Sequence, residues 1–236
     1  MKFCSKNKKL IVISIIIFFG CILVYSSIKI FIWQKENNIA QRQLEEIKAT
    51  VIKNNDIDFK LLKEKNPDTV AWLKIPETKI DYPVVQTKDN DYYLFHTIDR
   101  EVNQAGWIFG DYRNDFQILD KNTVIYGHGS LSGIMFGTLK NVLREREYKN
   151  QIIELVTEKE KTNWQIFSAY HIKTTDDYLK ISFNSNDEFM KYIELISSRS
   201  AYNFNNNPDE NDKILTLSTC YNDEERMVVH AKIILP

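Results

Sequence analysis

In the stretch "ILTLSTCYNDEERMVVHAK", Ile214 to Lys232, a cysteine closes an apolar, hydroxyl-rich run and an arginine follows six residues later. Cysteine attacks a carbonyl carbon as the thiolate. Chemistry at Cys220 therefore needs a neighbouring base or cation, and acyl transfer also needs donors for the developing oxyanion. Of the four histidines, His128 ends the strand-like run "NTVIYGH" between Gly127 and Gly129, where neighbours without a Cβ would leave the ring reachable. His96, His171 and His230 stand in denser runs and read as structural. Arg226 opens the alternating run "RMVVHAK". A hairpin through "YNDEE" would bring its permanently charged guanidinium near Cys220 as an oxyanion donor. The competing readings are an inert core thiol and a surface arginine in an ion pair. No C-x-x-C or H-x-x-x-H spacing occurs, so neither a metal nor any other cofactor is expected.

The segments around these residues set the compartment. From Leu10 to Ile28, nineteen residues carry no charge, close to the roughly 20 that cross a hydrocarbon core as a helix. The run extends to Trp33 if Lys29 snorkels. It is longer than a signal-peptide core and no A-x-A-like site follows, so an uncleaved anchor is expected. Four lysines (Lys2, Lys6, Lys8, Lys9) precede it, against Lys29 and Lys35 at its far end. That asymmetry keeps the amino terminus in the cytoplasm and exports the rest. Cys4 and Cys21 then lie inside the cell and in the bilayer, leaving Cys220 without an intramolecular partner, where exported chains usually pair their cysteines. Taking those four lysines from the net charge of −1 leaves −5 on the remainder. Nucleic acid is not an expected partner.

The expected domains are a basic tail over 1–9, a transmembrane anchor over 10–33, a stalk over 34–57 and a catalytic domain over 58–236. In the stalk, Leu44, Ile47 and Val51 recur at helical spacing, which predicts an amphipathic helix from about Asn37 to Lys53. A second short helix is expected from Phe59 to Lys65, stopped by Pro67; together the two would span the gap between bilayer and domain. From Thr69 the texture becomes short β-rich runs: "TVAWLKI", "IDYPVVQ", "AGWIFGD", "NTVIYGH", "QIIELVT", "WQIFSAYHI", "KILTLST" and "RMVVHAKIIL". Eight such runs point to a closed barrel or a sandwich, a mainly β fold. "SNDEFMKYIELISSRS" reads as a helix between two late strands, with Ser185 or Asn186 as N-cap. "IMFGTLKNVLRE" is a weaker helix candidate.

"TLSTC" followed by Arg226, with "YGH" upstream, resembles the signature of the sortases, membrane-anchored cysteine transpeptidases of Gram-positive bacteria. "VAWLKIPETKIDYPVVQ", "NDYYLFH", "GWIFGDYRND" and the late inserted helix resemble class B, and the likeness runs from about Asp58 to the C-terminus. It implies an eight-stranded sortase barrel with N-terminal helices, with Cys220 as nucleophile, His128 as general acid and base, and Arg226 as oxyanion stabiliser. The implied partners are the C-terminal sorting signal of a secreted protein and the amine of a peptidoglycan precursor. Cys220 would form a thioacyl intermediate at a Thr carbonyl, and the amine would resolve it. The resemblance also places Leu94, Ser218, Thr174, Tyr178 and Leu179 along the substrate groove.

Departures from that pattern are Tyr221, Asn222 and Asp223 after the cysteine and Glu77 in "IPETK". A third catalytic carboxylate does not carry over. A thiol peptidase that releases the same intermediate to water, and a non-catalytic tethered binding module, are the alternative functions. A thiolate working with an imidazolium predicts a bell-shaped pH profile.

Overall fold

The computed structural model describes residues 3–53, 56–143, 152–220 and 225–234, with Cys220 and residues 3–8 described by their backbone. One helix, α1 (Phe3–Val51), runs unbroken from the apolar segment through the predicted stalk. Large apolar residues from Leu10 to Trp33 are exposed along it, while Ala40, Leu44, Ile47 and Val51 enter the core. The amphipathic part of the helix is thus packed onto the domain and is not a free spacer. Its end is tied down by Lys48, 2.9 Å from Asp81, and by Gln43, whose amide donates to Asp99 at 3.0 Å. A small pairing of β1 (Ile52–Lys53) with β2 (Asp56–Ile57) leads into α2 (Phe59–Lys65). The Asp58 carboxylate caps α2 by accepting from the Leu61 amide, and the helix ends at Asn66, one residue before Pro67.

All eight β-rich runs become strands: β3 (Thr69–Lys74), β4 (Asp81–Val85), β5 (Phe109–Gly110), β6 (Asn122–His128), β7 (Ile152–Thr157), β8 (Lys161–Lys173), β9 (Ile214–Cys220) and β10 (Glu225–Ile234). They close into a barrel in the order β10-β8-β7-β3-β4-β5-β6-β9. The β4/β5 and β6/β9 pairs are parallel and the rest antiparallel. Trp72, Leu73, Ile108, Ile125, Leu155, Trp164 and Leu217 are buried in the main hydrophobic core. The predicted "AGWIFGD" strand shrinks to two residues for a physical reason. Pro83 in β4 has no N–H to offer, and β4 meets β5 through the single pair Val85↔Phe109. The Trp107 indole N–H bonds the Pro83 carbonyl at 3.0 Å, so a side chain does part of the joining there.

Between β8 and β9 lies α3 (Asn186–Ser198), capped by Ser185, whose hydroxyl accepts from the Glu188 amide. Phe189, Tyr192, Ile193 and Ile196 bury its inner face against Phe167, Tyr170 and Val228. The weaker helix candidate forms only a 3-10 turn at Leu139–Leu143; residues 144–145 of that run lie outside the described residues.

Candidate active site

The parallel pairing of β6 with β9 is the central fact of the site. In-register parallel strands end on the same side of a sheet. The ladder from Asn122↔Ile214 to His128↔Cys220 therefore sets the two final residues beside each other, with backbones about 5 Å apart as in any strand pair. Two strands 92 positions apart in the chain supply these neighbours only because β7, β8 and α3 form the crossover that a parallel pair requires. Antiparallel β10 approaches β9 from the other edge, with Val228 opposite Ser218. That ladder ends two residues short of Arg226 and Cys220, where the Met227 amide donates to Thr219 Oγ1 at 3.3 Å. The chain between them, residues 221–224 with Asn222 and Asp223, lies outside the described residues.

The imidazole of His128 is held from behind. Its Nε2 lies 2.7 Å from the carbonyl oxygen of Leu94. A carbonyl can only accept, so Nε2 carries a proton and Nδ1 is the nitrogen left to exchange one. Gly106 makes this approach possible. It sits at φ +59, and a Cβ there would come within 2.7 Å of the Leu94 and Tyr93 carbonyl oxygens and 2.9 Å of His128 Cδ2. Gly127 has another cause, since a Cβ on it would strike the Phe136 ring at 2.9 Å. Gly106, which the sequence reading did not single out, stands behind the histidine.

The other predicted site residues converge. Leu94, Ser218, Thr174, Tyr178, Leu179 and Arg226 line one cavity of about 300 Å³. Its wall at Tyr178–Lys180 is pinned by three consecutive carbonyls: Tyr192 Oη donates to that of Tyr178 at 2.8 Å, Arg113 Nη2 to Leu179 at 3.1 Å, and Asn122 Nδ2 to Lys180 at 2.9 Å. Tyr178 Oη in turn lies 3.0 Å from Ser218 Oγ. Arg113 is itself held by Asp111, a fully buried carboxylate that accepts its Nε and Nη2 at 2.8 and 2.7 Å and the Tyr126 hydroxyl at 2.8 Å. Burial pushes the Asp111 pKa up, but these donors outweigh it and hold the carboxyl below the usual range. The pair sits in "GDYRND", where an Asp-x-Arg spacing was the available signal.

His230 lies behind the groove, not in it. The Thr216 hydroxyl donates to Asn122 Oδ1 at 2.7 Å, so His230 Nδ1–H donates to Thr216 at 2.8 Å and Tyr170 Oη–H to His230 Nε2 at 2.9 Å. His96 stacks on Tyr92 with ring centres 3.9 Å apart. Both serve packing.

The sequence carries a match to the family model described as the Sortase domain over residues 73–234. It is 35% identical to sortase B of Listeria monocytogenes, over 98% of this chain and 97% of that protein. The chain belongs to the sortase B family. Sortase B of Staphylococcus aureus is 33% identical over 96% of this chain and 95% of its own. Among solved structures, sortase B from B. anthracis in complex with AAEK2 superimposes with a TM-score of 0.76 at 35% identity, covering 83% of this chain and 96% of that one. A Staphylococcus aureus sortase B–substrate complex gives 0.72 at 33%, covering 86% and 94%. Sortase B complexed with triglycine gives 0.72 at 34%, covering 86% and 95%. As a sortase B homologue the protein is a cysteine transpeptidase on the sortase barrel.

Proposed function

We propose that this sortase cleaves the C-terminal sorting signal of secreted proteins and joins them to the amine of a peptidoglycan precursor. The observation that carries the reading is the register pair His128↔Cys220 at the strand ends, beside the cavity lined by Arg226. Cys220 attacks the signal's carbonyl, Arg226 donates to the oxyanion, and collapse forms the thioacyl bond as the amine leaves with a proton from His128. The signal lies along Leu94, Ser218, Thr174, Tyr178 and Leu179. The relatives bound to substrate and to triglycine support a peptide donor and an amine acceptor.

The apolar helix stretch, long enough to cross a bilayer, supports a single-pass anchor over 10–33 with residues 1–9 in the cytoplasm and the domain from 58 onward outside. The test is incubation of the detergent-solubilised full chain with sorting-signal peptides, with and without triglycine. Wild type should give an amide-linked product with triglycine, and Cys220→Ala should give none. Cleavage that survives Cys220→Ala would overturn the mechanism. Cleavage by wild type that ignores triglycine would make the protein a peptidase.

A further inference from the structure

Among the described residues, the two most exposed large apolar side chains are not in the apolar run of α1. They are Leu131, 86% exposed, and Val102, 80% exposed. Single apolar residues at a surface are ordinary, but these two share a location.

Both stand on turns with a defined backbone. Val102 follows the turn 97–101, where Arg100 takes φ +62 and the Thr97 amide donates to the Glu101 carbonyl at 2.9 Å. The bridge His96↔Val102 closes that turn. Leu131 lies in the loop after β6, where the Gly133 amide donates to the Ser130 carbonyl at 3.1 Å and the bridge Gly129↔Met135 closes the base. The two side chains are thus held out from the domain.

Both loops are fastened to α1 where it leaves its apolar run. Asn103 Nδ2 donates to the Glu36 carbonyl at 3.1 Å, Ser132 Oγ to Asn37 Oδ1 at 3.2 Å, and Asn37 Nδ2 to the Trp33 carbonyl at 2.8 Å. Leu131 also lines one cavity with Trp33, Gln104 and His128. The tips are therefore level with residues 33–37 of the helix. From Leu10 to Trp33 a helix measures about 36 Å, more than the roughly 30 Å hydrocarbon core and less than the roughly 40–45 Å of the whole bilayer. A run that spans therefore leaves Trp33 in the headgroup layer, the depth that Trp favours.

Charge does not explain the surface. Lys35 and Arg100 are matched by Glu36 and Glu101 in the same segments, so the tips offer apolar contact and no attraction to anionic lipid. Ser130, Ser132 and Gln104 beside them carry hydroxyl and amide groups that suit a headgroup layer.

We propose that Val102 and Leu131 are membrane-docking tips, through which the catalytic domain rests on the lipid surface beside the point where α1 leaves it. The occupant is the headgroup–acyl boundary of the bilayer that α1 crosses, so the proposal rests on the single-pass anchor reading above. One helix alone would let the domain swing; a helix and two loops fix its tilt. Leu131 stands three residues after His128, so docking turns the reactive ends of β6 and β9 toward the lipid.

The test places an environment-sensitive NBD label at single cysteines of the full chain in phosphatidylcholine vesicles that contain spin-labelled quencher lipid. Cys21, with Cys4→Ser and Cys220→Ser, reports the span. Val102→Cys and Leu131→Cys, each with all three native cysteines replaced, report the tips. Ile118→Cys is the control, since Ile118 is exposed too but precedes β6, at the other end of the barrel, where its carbonyl accepts from Lys213 Nζ at 2.7 Å. Lipid labelled deep in the acyl chain should quench Cys21, and lipid labelled near the headgroup should quench positions 102 and 131 at least about threefold more than 118. Quenching at 102 or 131 no greater than at 118, with Cys21 quenched, would overturn the proposal and leave the anchor standing. A blue-shifted but unquenched label at either tip would show burial against protein and overturn it as well. Absence of quenching at Cys21 would overturn the anchor reading and the docking with it.

Discussion

The imidazole of His128 and the backbone carbonyl of Leu94 meet at 2.7 Å across 34 residues of chain, over a glycine with no room for a Cβ. Gly106 is thus a positioning residue for the histidine. Gly106→Ala should cost about 1–2 kcal/mol from the left-handed backbone alone and displace the ring. A misplacement of about 1 Å can lower rate some 100-fold, so kcat should fall far more than stability does. Peptide-cleavage kinetics alongside thermal melts would check this; a variant with wild-type kcat would contradict it.

The groove wall offers a second, quieter test. Tyr192→Phe keeps the ring packed under α3 but removes the donor to the Tyr178 carbonyl and the acceptor for Asn122. The expected stability loss is about 1–3 kcal/mol, the cost of unsatisfied buried polar groups. Because Tyr178–Lys180 would lose one of its three pins, the KM for the donor peptide should rise several-fold while kcat stays within about twofold. Steady-state kinetics would separate these, and an unchanged KM would show that the wall does not depend on Tyr192.

Acid stability depends on His230. Burial, with a smaller repulsion from Arg199, lowers its pKa to about 3 from 6.5. The folded chain keeps the ring neutral, whereas the unfolded chain takes up a proton below about 6.5. Stability from this group is therefore complete above pH 6.5 and falls by about 1.4 kcal/mol per pH unit as pH drops towards 3. His230→Gln should flatten the decline of Tm between pH 6.5 and 4. An equally steep decline in the variant would assign it to other groups, though not to Asp111, whose contribution disappears only below the ordinary carboxylate range.

Much of this molecule is visible in its residue order because the signals are local. Alternating β-branched and aromatic residues mark all eight barrel strands, Ser185 with Glu188 marks the start of α3, and an uncharged run marks the apolar stretch of α1. The motifs around His128, Cys220 and Arg226 could be read because each sits at the end of such a run.

Other features need partners distant in sequence. Periodicity says that Leu44, Ile47 and Val51 share a face, but not that the face packs on the barrel, nor that α1 continues unbroken to wall a cavity at His128. The β1/β2 pair is too short to leave a pattern, and Pro83 trims β5 through an effect on its neighbour. Gly106 looks like any turn glycine until the Leu94 carbonyl and the His128 ring close over it. Side-chain types and local periods are properties of a few adjacent residues, whereas a register such as His128↔Cys220 or a relay such as Asn122–Thr216–His230 exists only once the barrel has closed. Composition and spacing therefore named the candidate reactive groups, and closure of the sheet decided which of them meet.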